Sequence, residues 1–250
     1  MRFARTDDGW VRLDGTRALL LDDAPWRGGV ETGREVPAEP LGVPVEPSKI
    51  VCIGRNYRAH AAELGNDVPS APLLFLKPPS ALLATGGTIE PPADSARIDY
   101  EGEIAVVIGR RARHVAEADA LGHVFGVTCA NDVTARDIQR ADVQFTRGKG
   151  FDGFCPLGPW IETEPGPLDR LEITTRVNGE VRQAGRSDQM VFPIPFLVAY
   201  ISRVMTLEPG DVILTGTPEG VAPLSPGDVV EVEVSGVGPL TSVLGERTVA

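Results

Sequence analysis

The chain is expected to fold as a β-rich α+β protein. Its 28 glycines and 22 prolines in 250 residues favour turns over long helices. Short apolar or alternating runs recur at 50–53, 72–76, 103–108, 124–130, 171–177, 212–215 and 229–234, each bounded by turn residues, the pattern of strands. Helical periodicity is confined to 57–64, 134–141 and 195–205.

At the N-terminus, residues 2–21 form apolar and polar stretches broken by Asp8-Gly9 and Asp14-Gly15, both hairpin signals, which predict a small antiparallel unit. Residues 36–49 carry Pro37, Pro40, Pro44 and Pro47 with almost no periodicity and are expected to be an extended linker. The chain therefore divides into residues 1–45, a small β unit with its Pro-rich linker, and residues 46–250, a main domain whose first strand is Ile50-Val51-Cys52-Ile53. Asn178-Gly179, between two alternating segments, is the strongest hairpin signal. The helix over 195–205 begins with a proline, where a missing N–H costs nothing. No internal repeat, low-complexity tract or heptad pattern is visible.

Composition narrows the function classes. With 42% hydrophobic and 24% charged residues the chain is an ordinary globular protein long enough to bury a core. A formal net charge of -11 argues against a nucleic-acid surface, which needs a basic stripe. It leaves a small anionic substrate open, because a bound divalent ion and a few local cations reverse the potential inside a cleft. Cys52, Cys129 and Cys155 have no metal-ligand spacing and read as buried thiols in a reducing compartment. No secretory apolar stretch or bilayer-length apolar run is present, so a cytoplasmic protein without membrane contact is expected.

Chemistry is concentrated in Asp99-Tyr100-Glu101-Gly102-Glu103-Ile104-Ala105-Val106-Val107-Ile108-Gly109. Positions i and i+2 of a strand share a face, so Glu101 and Glu103 stand side by side. Five apolar residues follow Glu103, which suggests burial on both faces. Two buried carboxylates must share a proton, pair with Arg or Lys, or hold a cation between them. Gly102 leaves room for something to approach the backbone. The alternating Glu231 and Glu233, with a valine at every intervening place, make a half-buried strand with no such implication.

A metal held by two glutamates needs a third hard oxygen ligand. Asp132 offers one where a strand gives way to a helix, and the same position suits a helix N-cap. Arg136 and Gln139 follow on roughly one helical face. His60 and Glu63, at i and i+3, are either an oriented general base or an incidental pair on a surface helix. Lys149, flanked by glycines, lies in a close-fitting loop or a flexible turn. Thr215-Gly216-Thr217-Pro218-Glu219-Gly220 lacks the Gly-Lys-Ser/Thr ending of a phosphate loop, which excludes nucleotide binding by that route.

Taken in order, Gly54-Arg55-Asn56-Tyr57 with His60 and Glu63, Phe75-Leu76-Lys77-Pro78, Tyr100-Glu101-Gly102-Glu103, Asn131-Asp132-Val133-Thr134-Ala135-Arg136-Asp137, Lys149-Gly150-Phe151-Asp152 and Thr215-Gly216-Thr217-Pro218-Glu219-Gly220 closely resemble the fumarylacetoacetate hydrolase family over about residues 49 to 245. The resemblance implies a mixed β-roll as the main domain, usually a homodimer, with the small N-terminal unit a usual bacterial addition. It implies that Glu101, Glu103 and Asp132 hold Mg2+ or Mn2+, that Arg136, Gln139 and Thr217 line the substrate position with Lys149 in a catalytic role, and that His60 and Glu63 form a water-activating dyad on a mobile lid helix.

The implied substrate is a small 2-oxo acid whose developing enolate the ion stabilises. Three outcomes follow: carbon–carbon hydrolysis of an acylpyruvate, decarboxylation of oxaloacetate, or isomerisation of 2-hydroxyhepta-2,4-diene-1,7-dioate in aromatic catabolism. The dyad favours hydrolysis. A dicarboxylate-binding protein without catalysis is the alternative from another class.

Overall fold

The computed structural model describes residues 1–247. Four N-terminal strands, β1 (Arg2–Thr6), β2 (Gly9–Asp14), β3 (Arg17–Leu21) and β4 (Glu31–Val36), pair antiparallel in sequence order. The turns between the first three fall at the Asp-Gly pairs read from the sequence. These strands continue into the main sheet, because β1 pairs with β13 (Cys155–Glu162). The Pro-rich run after β4 has no regular structure, yet Leu41 and Val45 are buried and the Gly42 amide donates to the Arg5 carbonyl at 2.8 Å.

The main sheet has eleven strands. From β1 its path runs through β13, β11 (Val124–Asn131), β10 (Gly102–Ile108), β16 (Val212–Leu214) and β5 (Ile50–Gly54) to β6 (Leu73–Lys77), with β7 (Leu82–Leu83) attached to β13. β10 is buried along its whole length and is antiparallel to both β11 and β16, as its unbroken apolar run requires. β16 and β5 run parallel, so the sheet is mixed.

A second sheet of five strands joins β15 (Glu180–Arg186), β14 (Glu172–Val177), β17 (Val229–Val234), β18 (Leu240–Leu244) and β8 (Gly87–Ile89). Asn178 and Gly179 turn β14 into β15, both with positive φ. Glu231 and Glu233 on β17 both pair with Arg176, so that alternation is structural. The principal core includes Ile104, Val106 and Ile108 of β10 together with Ile173, Val230 and Val232 of the second sheet. A short pair, β9 (Ile98–Asp99) with β12 (Thr134–Ala135), lies beside the acidic run.

Helices are short: α1 (Arg58–Glu63), α2 (Arg136–Ala141), α3 (Thr146–Lys149) and α4 (Ile194–Val204). On α4 the residues Ile194, Leu197, Val198 and Ile201 are buried, the spacing of an amphipathic face. Among the described residues no helix is long and apolar enough to cross a membrane.

Candidate functional site

Glu101, just before β10, and Glu103 on it stand opposite the end of β11, where the Asp132 amide donates to the Glu101 carbonyl at 2.8 Å. That pairing brings a third acid, 31 residues away, to the glutamate pair, and carboxylate oxygens of Glu101, Glu103 and Asp132 lie within 4.8 Å of one another. All three residues are buried. Asp132 caps no helix: α2 starts four residues later with Ala135 at its N-cap, and the Asp132 side chain turns to two lysines. The capping alternative is thereby corrected, because the two residues of β12 separate Asp132 from the helix.

Gly102 does admit a close neighbour, but that neighbour is protein. A Cβ there would stand 2.0 Å from Thr175 Oγ1 of β14, and the Gly102 amide donates to Gln183 Oε1 of β15 at 2.9 Å. The glycine lets the second sheet press against the strand that carries the acids.

Cations surround two of the three acids. Lys149 Nζ donates to Glu101 Oε2 at 2.7 Å and to Asp132 Oδ2 at 2.6 Å. Lys149 ends the short helix α3 and does not sit in a loop, which is a correction to the sequence expectation. That helix packs on α2 because residue 148 has no side chain, since a Cβ at Gly148 would stand 2.8 Å from the Gln139 nitrogen. Arg136 donates to Asp99 Oδ2 at 2.8 Å, to Gln139 Oε1 at 2.6 Å and, closely, to Glu101 Oε1. Lys77, at the end of β6, belongs to the same cluster: it donates to the carbonyls of Val133 at 3.0 Å and Lys149 at 2.6 Å. Its Nζ is also 2.6 Å from Asp132 Oδ1.

Burial disfavours charge on Glu101, but Lys149 and Arg136 hold its pKa well below the usual carboxylate range. Burial likewise opposes charge on Lys149, yet Asp132 and Glu101 push its pKa up to about 12. Glu103 is different. Among the described residues its one hydrogen bond comes from the Gly216 amide at 2.6 Å, and burial, then Asp132 and Glu101, drive its pKa well above the ordinary value.

The donor set fits a divalent cation. Asp132 Oδ1 is buried 2.6 Å from the Lys77 ammonium, which also donates to two carbonyls. Among the described residues Glu103 forms no direct ion pair, so it is the acid of the three whose charge is least compensated. Each carboxylate oxygen has two lone pairs, so those already bonded to Lys149 or Arg136 still have one to share. Three carboxylates suit a hard ion such as Mg2+ or Mn2+.

The acids form one wall of a cavity of about 260 Å3, also lined by His60, Arg136, Gln139, Lys149 and Thr217. The structure therefore brings every residue singled out from the sequence to this place except Glu63. His60 is buried and its pKa is lowered, chiefly by burial. Its Nδ1 is 3.6 Å from Glu63 Oε2, too far for a hydrogen bond, and has no other partner among the described residues. Both Glu63 oxygens instead face the Gly220 amide, at 3.0 and 3.2 Å. The pair is adjacent but not joined. Thr217 accepts from Gln183 Nε2 at 2.7 Å, which fixes its hydroxyl oxygen.

Arg55 and Arg140 also line the cavity, with Leu64, Leu73, Phe75 and Phe145 as apolar lining. Sequence reasoning passed over them. Arg55 belonged to a quoted motif without receiving a role, and Arg140 directly follows Gln139.

Comparison with known proteins agrees with this arrangement. Residues 49–244 match the profile of the fumarylacetoacetate (FAA) hydrolase C-terminal region. Oxaloacetate decarboxylase, mitochondrial, of Dictyostelium discoideum is 44% identical over 76% of this chain and 87% of its own length. Oxaloacetate tautomerase YisK of Bacillus subtilis is 42% identical over 80% of this chain and 71% of its own length. The crystal structure of 5-carboxymethyl-2-hydroxymuconate delta-isomerase from Mycobacterium smegmatis superposes with a TM-score of 0.90 at 42% identity, covering 99% of this chain and 100% of that one. With a family profile spanning most of the chain and relatives above 40% identity, this chain belongs to the fumarylacetoacetate hydrolase family.

Proposed function

We propose that this protein is a divalent-metal-dependent enzyme that moves protons at C3 of a small 2-oxo dicarboxylic acid of the oxaloacetate class, exchanging keto and enol forms and releasing carbon dioxide from a 3-carboxylate. The observation that carries the proposal is the buried triad Glu101, Glu103 and Asp132 opening into a cavity lined by Lys149, Arg136 and His60. When bound to those acids, Mg2+ or Mn2+ would draw electron density from the 2-oxo acid, which acidifies C3 and weakens its bond to a carboxylate.

The chain's own residues supply the rest. Arg136, held by Asp99 and by Gln139, presents a fixed guanidinium to the substrate carboxylate. Gln139 is oriented in the same exchange and offers its amide nitrogen. Lys149 stays protonated and acts as a donor to oxygen. His60 is neutral, because burial keeps its pKa low, and so can accept a proton from C3 and return it. Thr217 borders the cavity with its hydroxyl already tied to Gln183. In the decarboxylation the C3–C4 bond breaks, carbon dioxide leaves and C3 takes a proton. The names of the tautomerase and decarboxylase relatives support this choice of substrate class.

Hydrolysis of an acylpyruvate is the second reading. It is favoured by the nearness of His60 to Glu63, which a small rotation would join into a water-activating pair. A cytoplasmic homodimer remains part of the proposal, the dimer on the family resemblance and the location on three buried free thiols that suit a reducing compartment. One experiment separates the possibilities: oxaloacetate, an acylpyruvate and a 2-hydroxy-dienedioate are offered with added Mn2+ or with chelator, and enol absorbance, carbon dioxide and pyruvate are followed. Metal-dependent loss of oxaloacetate enol is the expected result. Turnover unaffected by chelator, or none with any 2-oxo acid, overturns the proposal.

A further inference from the structure

The cavity holds more positive charge than the acids use. Four cationic side chains line it: Arg136, Lys149, Arg55 and Arg140. Arg136 and Lys149 are committed to Asp99, Glu101 and Asp132. Arg55 and Arg140 come from other positions, the turn between β5 and α1 and the last turn of α2, and among the described residues neither guanidinium pairs with a carboxylate or donates a hydrogen bond. Arg55 is half-buried.

The backbone at Arg55 adds an independent observation. Its φ is 57°, in the left-handed region that a side chain with a Cβ seldom adopts. The strain is imposed by its neighbour: Asn56 Nδ2 donates to the carbonyls of Thr215 at 2.7 Å and Phe192 at 3.1 Å, and its Oδ1 accepts from the Phe192 amide at 2.8 Å. Glycine would suit such a turn, whereas arginine keeps the strain and places a guanidinium at the cavity, as strained residues at ligand sites commonly do.

Resting on the function proposed above, we infer that Arg55 is the receptor for the second, distal carboxylate of the substrate and sets the preference for 2-oxo diacids over 2-oxo monoacids, with Arg140 assisting. The 2-oxo acid head would lie at the acids with Arg136 and Lys149, and the tail would reach the unpaired guanidinium. A planar fork of donors is the natural partner of a carboxylate. The apolar lining from Leu73, Phe75 and Phe145 favours an aliphatic segment between the two charged ends.

The test compares wild type, Arg55→Gln and Arg55→Lys, with Mn2+ present, on oxaloacetate and its 4-monoethyl ester, following enol absorbance in both cases. Wild type should prefer the diacid. Arg55→Gln should lower kcat/KM for the diacid roughly 10- to 100-fold and leave the ester within about twofold, with Arg55→Lys between them. Calorimetric titration with 2-oxoglutarate and 2-oxobutyrate gives a readout independent of turnover: wild type should bind the diacid more tightly and Arg55→Gln should bind both alike. An equal fall for diacid and ester, or a diacid preference that survives Arg55→Gln in binding, overturns the inference. So does a wild type that binds both 2-oxo acids alike. Failure of catalysis with the binding preference intact and dependent on Arg55 would sink the proposed reaction while leaving this assignment standing.

Discussion

Glu103→Gln removes one charge from the triad while keeping the side chain's shape and the oxygen that accepts the Gly216 amide. The acid oxygens lie within 4.8 Å of each other. At that separation and an effective dielectric near 20, two like unit charges repel by about 3.5 kcal/mol. Glu103 faces two such neighbours, and Lys149 offsets part of the repulsion. In the metal-free protein the substitution should therefore stabilise the fold by on the order of 2 kcal/mol at neutral to alkaline pH.

The pH dependence fixes the sign. The folded-state pKa of Glu103 is raised, so its contribution to stability is fully present below the unfolded value of about 4.3 and is lost as pH rises through the folded value. Wild type should lose that contribution on raising the pH, and Glu103→Gln should not. His60, with its pKa lowered by burial, gives an opposite slope below about pH 6.5, but it does so in both proteins and cancels in the difference. Urea melts with chelator at about pH 5 and about pH 8, repeated with Mn2+, read this directly. The variant should gain on wild type as pH rises, and Mn2+ should stabilise wild type more than the variant. A variant no more stable than wild type at the higher pH with chelator, or an equal response to Mn2+, would refute the reasoning that Glu103 is the least compensated acid.

Other perturbations reach the same cluster from different sides. Lys149→Met leaves Glu101 and Asp132 without their shared ammonium and should cost about 3–5 kcal/mol in chelator melts, with Mn2+ restoring part of it; a loss below 1 kcal/mol would mean the bridge contributes little. Gly102→Ala should destabilise by roughly 1–3 kcal/mol, because the new methyl collides with Thr175 Oγ1, and a thermal melt unchanged by the substitution would show that β14 yields freely. His60→Ala should abolish acylpyruvate hydrolysis if His60 and Glu63 activate water, and should slow the enol–keto exchange of oxaloacetate by about 100-fold or more if His60 carries the C3 proton; exchange at the wild-type rate would remove His60 from that step.

Much of the architecture was legible because period and punctuation agreed. The run from Ile104 to Ile108 is apolar without a break and becomes a strand of the main sheet buried along its whole length, while Asn178-Gly179 turns its hairpin where expected. β13 escaped notice because Pro156, Gly158 and Pro159 interrupt any strand pattern, and its pairing with β1, β7 and β11 overrides that local signal. Asp132 could not be resolved locally, since an acid at a strand end before a helix reads equally as cap or ligand. The antiparallel register of β10 with β11 decided it. The separation of His60 from Glu63 was also invisible, because i,i+3 spacing on a helix establishes neighbourhood, and Gly220, more than 150 residues away, claims the carboxylate. Arg55 carries no local sequence mark of its left-handed backbone; the constraint comes from Asn56 reaching Phe192 and Thr215.

The two halves of the cavity have different mechanical footing. The acids hang from the interior of a mixed sheet, flanked on both edges of β10 by paired strands, and altering them means disturbing the trunk of the molecule. The opposite wall is assembled from the short helix α1, the stretch joining it to β6 and the outward side chains of an edge strand. Apart from the buried His60 and Ala61, residues there can be exchanged at small cost to the whole. A lineage or an engineer could thus retune which tail is accepted by rewriting one peripheral segment, while the electrostatic engine behind it is inherited intact.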